Sequence, residues 1–130
     1  MIYLDSSALV KLALTEAESP ALIQWLADRS DEAVVSSALH RTEVLRAIWI
    51  AEPGALPRGV RLVRRIGRVA LTPEVLDNAA TLPPRRLGPI DALHLASALA
   101  IRRDLSAFVG YDKRLLDAAT EAGLPTVSPA

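Results

Sequence analysis

Five short apolar runs, the first four each followed by a longer segment with helical spacing, limit this chain more than any other feature. The runs are Ile2-Tyr3-Leu4, Ala33-Val34-Val35, Val69-Ala70-Leu71, Phe108-Val109 and Thr126-Val127. Strands this short and continuously apolar suit a sheet covered on both faces. Helices between consecutive strands imply parallel pairing through crossovers. The expected fold class is therefore α/β, a three-layer α/β/α sandwich around a mainly parallel sheet. With 51% apolar residues the 130-residue chain has material for one real core, and little room for a second. Charged residues at 23% are too few for a disordered chain.

The helical segments carry recognisable ends. Ser6 to Leu14 has helical character. Ser19-Pro20 reads as an N-cap with proline at the first helical position, opening a helix to about Arg29. Ser37 can cap a helix to about Ala51, with Leu45, Ile48 and Trp49 on its buried side. A further helix is expected over Val60 to Gly67. Thr72-Pro73 caps one running to about Ala80. Ile90 to Arg102 is apolar all round and should be buried, and Asp112 starts a last helix that stops at Gly123. Pro83, Pro84, Gly88 and Pro89 mark a loop before the buried helix.

Several function classes fall away at once. The longest uncharged run, Ala92 to Ile101, has ten residues, against the roughly 20 of a membrane span. No basic stretch followed by an apolar one opens the chain, so no secretory signal is expected. Cysteine is absent. That excludes disulfides, thiolate zinc sites and Cys nucleophiles, and it fits a reducing cytoplasm. No Gly-rich phosphate loop is present, and Ser6, Ser7 and His94 show no nucleophile-elbow pattern. Fifteen basic and fifteen acidic residues balance, but not evenly along the chain. Arg58, Arg61, Arg64, Arg65, Arg68, Arg85 and Arg86 face only Glu74 and Asp77 between Pro53 and Ile90. Arginine forks match phosphate oxygens. The stretch is either a phosphate-facing rim or a plain solvated helix face.

In parallel sheets, sites lie beyond the carboxyl ends of the strands. Asp5 follows the first strand directly, and Asp112 follows Phe108-Val109 after two residues. Asp91 lies in the first turn of the buried helix. Glu43 shares a helix line with Leu39, Ala47 and Ile50, where an acid is costly unless it meets a charge. Singly, Asp5 and Asp112 could be N-caps, Asp91 could answer the helix dipole, and Glu43 could pair with Arg41 or Arg46. Together they converge on one end of one sheet. Carboxylates ~4–5 Å apart repel by roughly 3–4 kcal/mol at an effective dielectric near 20, so protons or a hard cation must intervene. An all-oxygen set favours Mg²⁺ or Mn²⁺ over zinc. His94, one turn past Asp91, reads as a supporting or core histidine. A receiver-type Mg²⁺ module fits poorly: only Lys11 and Lys113 exist, and no acid follows a middle strand.

Four segments in this order resemble the PIN-domain ribonucleases, and within them the VapC-type toxins of bacterial toxin–antitoxin pairs. They are Tyr3-Leu4-Asp5-Ser6-Ser7-Ala8-Leu9, Arg41-Thr42-Glu43-Val44, Asp91-Ala92-Leu93-His94-Leu95-Ala96 and Tyr111-Asp112-Lys113-Arg114-Leu115. The resemblance implies a single PIN domain over residues 1–130 and a metal-dependent endonuclease acting on RNA. It implies that Asp5, Glu43, Asp91 and Asp112 are catalytic and hold Mg²⁺, or Mn²⁺, that activates water. Ser6, Ser7 and His94 would support them, and Arg85, Arg86 and Arg65 would touch RNA phosphates. A VapB-like antitoxin, a homodimer and a toxin–antitoxin hetero-oligomer are the implied assemblies. The helices around Trp25 and Trp49 are candidate contact surfaces unless both rings are core. The alternative is a PIN-like nuclease of RNA processing. One position departs: many members carry Ser or Thr two residues before the last acid, where Gly110 stands here, which predicts a lost hydrogen bond.

Overall fold

The computed structural model describes residues 1–130. Its five strands are β1 (Ile2–Leu4), β2 (Val34–Ser37), β3 (Gly67–Val69), β4 (Ala107–Val109) and β5 (Thr126–Val127). They form one sheet in the order β3-β2-β1-β4-β5, and every pairing is parallel. The chain steps outward from β1 to β3, then returns to the other side of β1 for β4 and β5. The reversal falls between β1 and β4, and a crevice is expected beyond the carboxyl ends of that pair.

Seven helices cover the sheet: α1 (Ser6–Ala13), α2 (Ser19–Ala27), α3 (His40–Ala51), α4 (Leu56–Arg65), α5 (Pro73–Ala79), α6 (Pro89–Ala100) and α7 (Lys113–Glu121). Strand alternation divides the core. Ile2, Leu4, Ala107 and Val109 pack with residues of α1 to α4, including Leu9, Leu22, Val44 and Val63. Tyr3, Val35 and Phe108 face the other way, onto Leu95 and Ala98 of α6 and Leu115 and Ala119 of α7. Helix α5 lies outside, with Val75 and Ala79 against Ala92 and Ala96 of α6. No helix is long and apolar enough to cross a membrane.

Several expected boundaries move. β3 starts at Gly67, pairing with Val35, and ends at Val69 instead of beginning there. A Cβ at Gly67 would stand 2.9 Å from Val35 Cγ1, so the two strands close up where glycine sits. α4 accordingly starts earlier, at Leu56, and ends at Arg65. β2 extends through two buried serines, so Ser37 is strand rather than helix cap. Its Oγ accepts from the Leu39 N–H, and α3 begins at His40 with no side-chain cap. Ser19 is likewise no N-cap: it sits buried inside α2, accepting from Glu16 N–H and donating to the Lys11 carbonyl. The buried side of α3 is His40, Val44 and Ile48, while Trp49 is exposed. Trp25 is half-buried beside the core, with the Arg29 guanidinium 4.0 Å from its ring centre. Thr72 and Asp112 do cap α5 and α7, as read.

Candidate active site

Each of the four acids is placed by an element start. Asp5 is the N-cap of α1, reached directly from β1, and its Oδ1 accepts from Ala8 N–H at 3.0 Å and Ser7 Oγ at 2.5 Å. Asp112 is the N-cap of α7, with Oδ1 accepting from Arg114 and Leu115. Glu43 and Asp91 lie in the first turns of α3 and α6. β1 and β4 are neighbours, so Asp5 and Asp112 flank the sheet's reversal point.

The acids share one electrostatic field. Burial pushes the Asp5 carboxyl above its usual range, and the nearby Asp91 charge adds to this. Asp91 is also raised, first by burial and then by Asp112, with Glu43 adding to the rise; His94 and Arg114 oppose it. As placed, no three acidic or histidine side chains form a closed ligand set. Asp5 and Glu43 are turned toward hydrogen-bond partners instead. The donor chemistry nevertheless fits a hard cation: the four groups are carboxylates. One oxygen of Asp5 and one of Asp112 accept no protein hydrogen bond, and Asp91 accepts none.

Glu43 pairs with neither Arg41 nor Arg46. Its Oε1 lies 2.7 Å from His94 Nε2, and its Oε2 accepts from Ser6 Oγ at 3.3 Å. Behind His94, Nδ1 lies 2.7 Å from Tyr3 Oη, which accepts from Ser37 N–H at 3.0 Å. The Glu43 carboxylate takes a donor at Nε2, and in the neutral imidazole with its proton there, Nδ1 accepts from the phenol. Burial drives the Tyr3 phenol upward, which keeps that proton in place. Tyr3 and His94 are 0% and 1% exposed. A buried relay thus runs from the end of β2 through Tyr3 and His94 to Glu43. Tyr3 is the residue the sequence reading missed. In an apolar strand it passes for core, and its only signal is a phenol one residue from a strand end.

Gly110 carries a different meaning from the expected lost hydrogen bond. A Cβ there would overlap the Asp5 carboxylate, standing 2.8 Å from its Cγ. The hydrogen bond comes from Ser7, whose Oγ donates to Asp5 and accepts from Tyr111 N–H at 3.0 Å. Gly110→Ala is therefore expected to cost roughly 1–3 kcal/mol through overpacking and to displace Asp5. A urea-unfolding midpoint equal to that of the native chain would refute this.

A model of the PIN domain matches residues 2–121. The chain belongs to the PIN-domain family. Similar curated proteins are Ribonuclease VapC47 and Ribonuclease VapC46 of Mycobacterium tuberculosis. The first is 41% identical, covering 99% of this chain and 97% of the relative; the second is 42% identical, covering 99% and 98%. Among solved structures, M. tuberculosis VapC20, described as a Sarcin-Ricin loop cleaving toxin, superposes with a TM-score of 0.74. It is 17% identical and covers 99% of this chain and all of that one. VapBC2 from Rickettsia felis, bound to a promoter DNA fragment, gives a TM-score of 0.73 at 12% identity, with full coverage of both chains. These last likenesses confirm the three-layer PIN fold, and the whole-chain relatives place this protein among the VapC-type members.

Proposed function

We propose that this protein is a divalent-cation-dependent endoribonuclease and the toxin of a toxin–antitoxin pair. The observation that carries this is the shared field of Asp5, Glu43, Asp91 and Asp112 beyond the carboxyl ends of β1 and β4. Relatives of about 40% identity over the whole chain bear the name ribonuclease, which selects RNA hydrolysis among reactions an acidic rim can run.

Asp5, Asp91 and Asp112 would hold Mg²⁺ or Mn²⁺, with Glu43 close by. When bound, such an ion lowers the pKa of water and polarises a phosphodiester oxygen. The chain's own residues do the rest. Ser7 and Ala8 fix the Asp5 carboxylate, His94 and Ser6 fix Glu43, and the α7 cap fixes Asp112. Because the nucleophile comes from water, the RNA's 2′-hydroxyl is not needed, and the products carry 5′-phosphate and 3′-hydroxyl ends. A partner of the antitoxin kind follows from the hazard of a free ribonuclease. The structurally similar VapBC2, and FitAB bound to IR36 DNA, carry paired names that suit such an assembly.

The test is RNA cleavage with Mg²⁺, with EDTA, and with Asp91→Asn, alongside growth on expression of the chain alone. Cutting that needs the cation and Asp91 is expected. Undiminished cutting in EDTA refutes the cation, and growth unaffected by an active enzyme refutes the toxin.

Arg58, Arg61, Arg64, Arg65 and Arg68 are all exposed, and none forms an ion pair. Arg68 lies opposite Ser36, near the carboxyl end of the sheet. For the Arg64→Ala, Arg65→Ala double variant, the slope of log affinity for single-stranded RNA against log salt is expected to fall by about 1.4, since each phosphate contact contributes ~0.7. An unchanged slope removes these two residues from the RNA path.

A further inference from the structure

We propose that the cavity between residues 82–88 and α7 is a subsite for one unpaired RNA nucleotide, and that it prefers guanine. The proposal rests on the nuclease reading and names a feature of its substrate.

The cavity has a volume of about 970 Å³. That is at the upper end of the range for sites that hold small organic ligands. Asp91 is part of its wall. The cavity and the acidic site therefore share a side chain, and a strand with a phosphate at the acids can lay a neighbouring nucleotide at this opening.

The lining suits a nucleotide in three respects. Pro83, Leu87 and Ala118 supply apolar surface for the flat faces of a base. Arg86 from the 82–88 segment and Arg114 from α7 line the cavity from its two sides as cations for the phosphate. Arg114 is also close enough to Asp91 to favour its charged form. Asp117 and Glu121, one turn apart on α7, place two carboxylates on a single stripe. Asp117 is engaged by Lys113 at 3.0 Å on an exposed pair, while Glu121 has no cationic partner.

Those carboxylates would repel a phosphate, so the base faces them and the phosphate lies toward the arginines. A carboxylate accepts hydrogen bonds only. Guanine alone among the four bases offers two adjacent donors, N1–H and the N2 amino group, to a bidentate acceptor. Adenine and cytosine put a ring acceptor beside their amino group, and uracil flanks its one N–H with two carbonyls. The base must also be out of a duplex to enter, so the target is a loop or a single strand.

The test uses the full chain in EDTA, titrated with the four nucleoside 5′-monophosphates and followed by backbone amide NMR. Guanosine monophosphate is expected to bind roughly tenfold tighter than the others, the order of discrimination that one bidentate pair supplies. Its shifts should map to residues 82–88 and 114–122. In the Asp117→Asn, Glu121→Gln double variant, both exposed positions, the preference should shrink to about threefold or less. Absence of saturable binding, shifts on another face, or an unchanged preference in the double variant would overturn the proposal. A second arm sequences RNA ends after cleavage with Mg²⁺. RNA cut with no base preference and no nucleotide bound removes the subsite and leaves the nuclease standing. Guanosine monophosphate bound in the cavity with no RNA cut supports the subsite and removes the nuclease.

Discussion

Asp5→Asn is expected to lower RNA cleavage by at least ~10²–10³-fold, on the scale of losing one preorganised charge-stabilising group, while leaving the fold as stable as before or more so. The two effects separate because Asp5 does two jobs. As a cap it accepts from Ala8 N–H and Ser7 Oγ through Oδ1, and an asparagine oxygen can do the same. As a charge it is 2% exposed, and burial holds its carboxyl above the usual range. An acid whose pKa is raised by folding stabilises the fold only as pH falls, and at neutral pH its charge works against folding. Removing the charge removes that cost. The thermal midpoint of the Asn variant at pH 7 should therefore equal or exceed that of the native chain, and the difference should shrink in acid. A variant that loses both activity and stability would show that Asp5 is structural.

This division between charge and cap explains what could be read without coordinates. Asp5 and Asp112 were legible because both jobs leave a mark, an acid at a strand end and at a helix start. The sheet was legible where strands are buried, as in Ile2–Leu4 and Ala107–Val109. It was misplaced at β3, because an edge strand composed of Gly67, Arg68 and Val69 has two exposed residues and no apolar signature. Ser36 and Ser37 hid the end of β2 for the opposite reason: they are fully buried yet polar. Glu43 was legible as an acid in need of a partner. The partner was not, because His94 reaches it across 51 positions from another helix. Of the residues that spacing assigns to the buried side of α3, Ile48 is buried and Trp49 is not, because the helix turns His40 and Val44 inward with Ile48.

Tyr3→Phe is the most discriminating change because it removes one oxygen from behind the site and nothing from within it. The ring packs in parallel against Phe108, with centroids 5.2 Å apart at 8°, and phenylalanine keeps that contact. What disappears is the acceptor for Ser37 N–H and the donor to His94 Nδ1. Two buried polar groups left unpaired cost about 1–3 kcal/mol each at most, so the fold should weaken but persist. With Nδ1 unpaired, the imidazole loses the hydrogen bond that holds its ring from behind, and the donor to Glu43 is fixed less firmly. Cleavage is expected to fall roughly 10–100-fold, the range for removing a group that orients a ligand side chain. The Mg²⁺ concentration at half-maximal rate should rise with it, and KM for RNA should hardly move. Phe108→Leu supplies the comparison, since it loosens the same packing without touching the relay. If Phe108→Leu shifts the Mg²⁺ dependence as far as Tyr3→Phe does, packing accounts for the effect. If Tyr3→Phe leaves that dependence where it was, the relay orients nothing that the reaction needs.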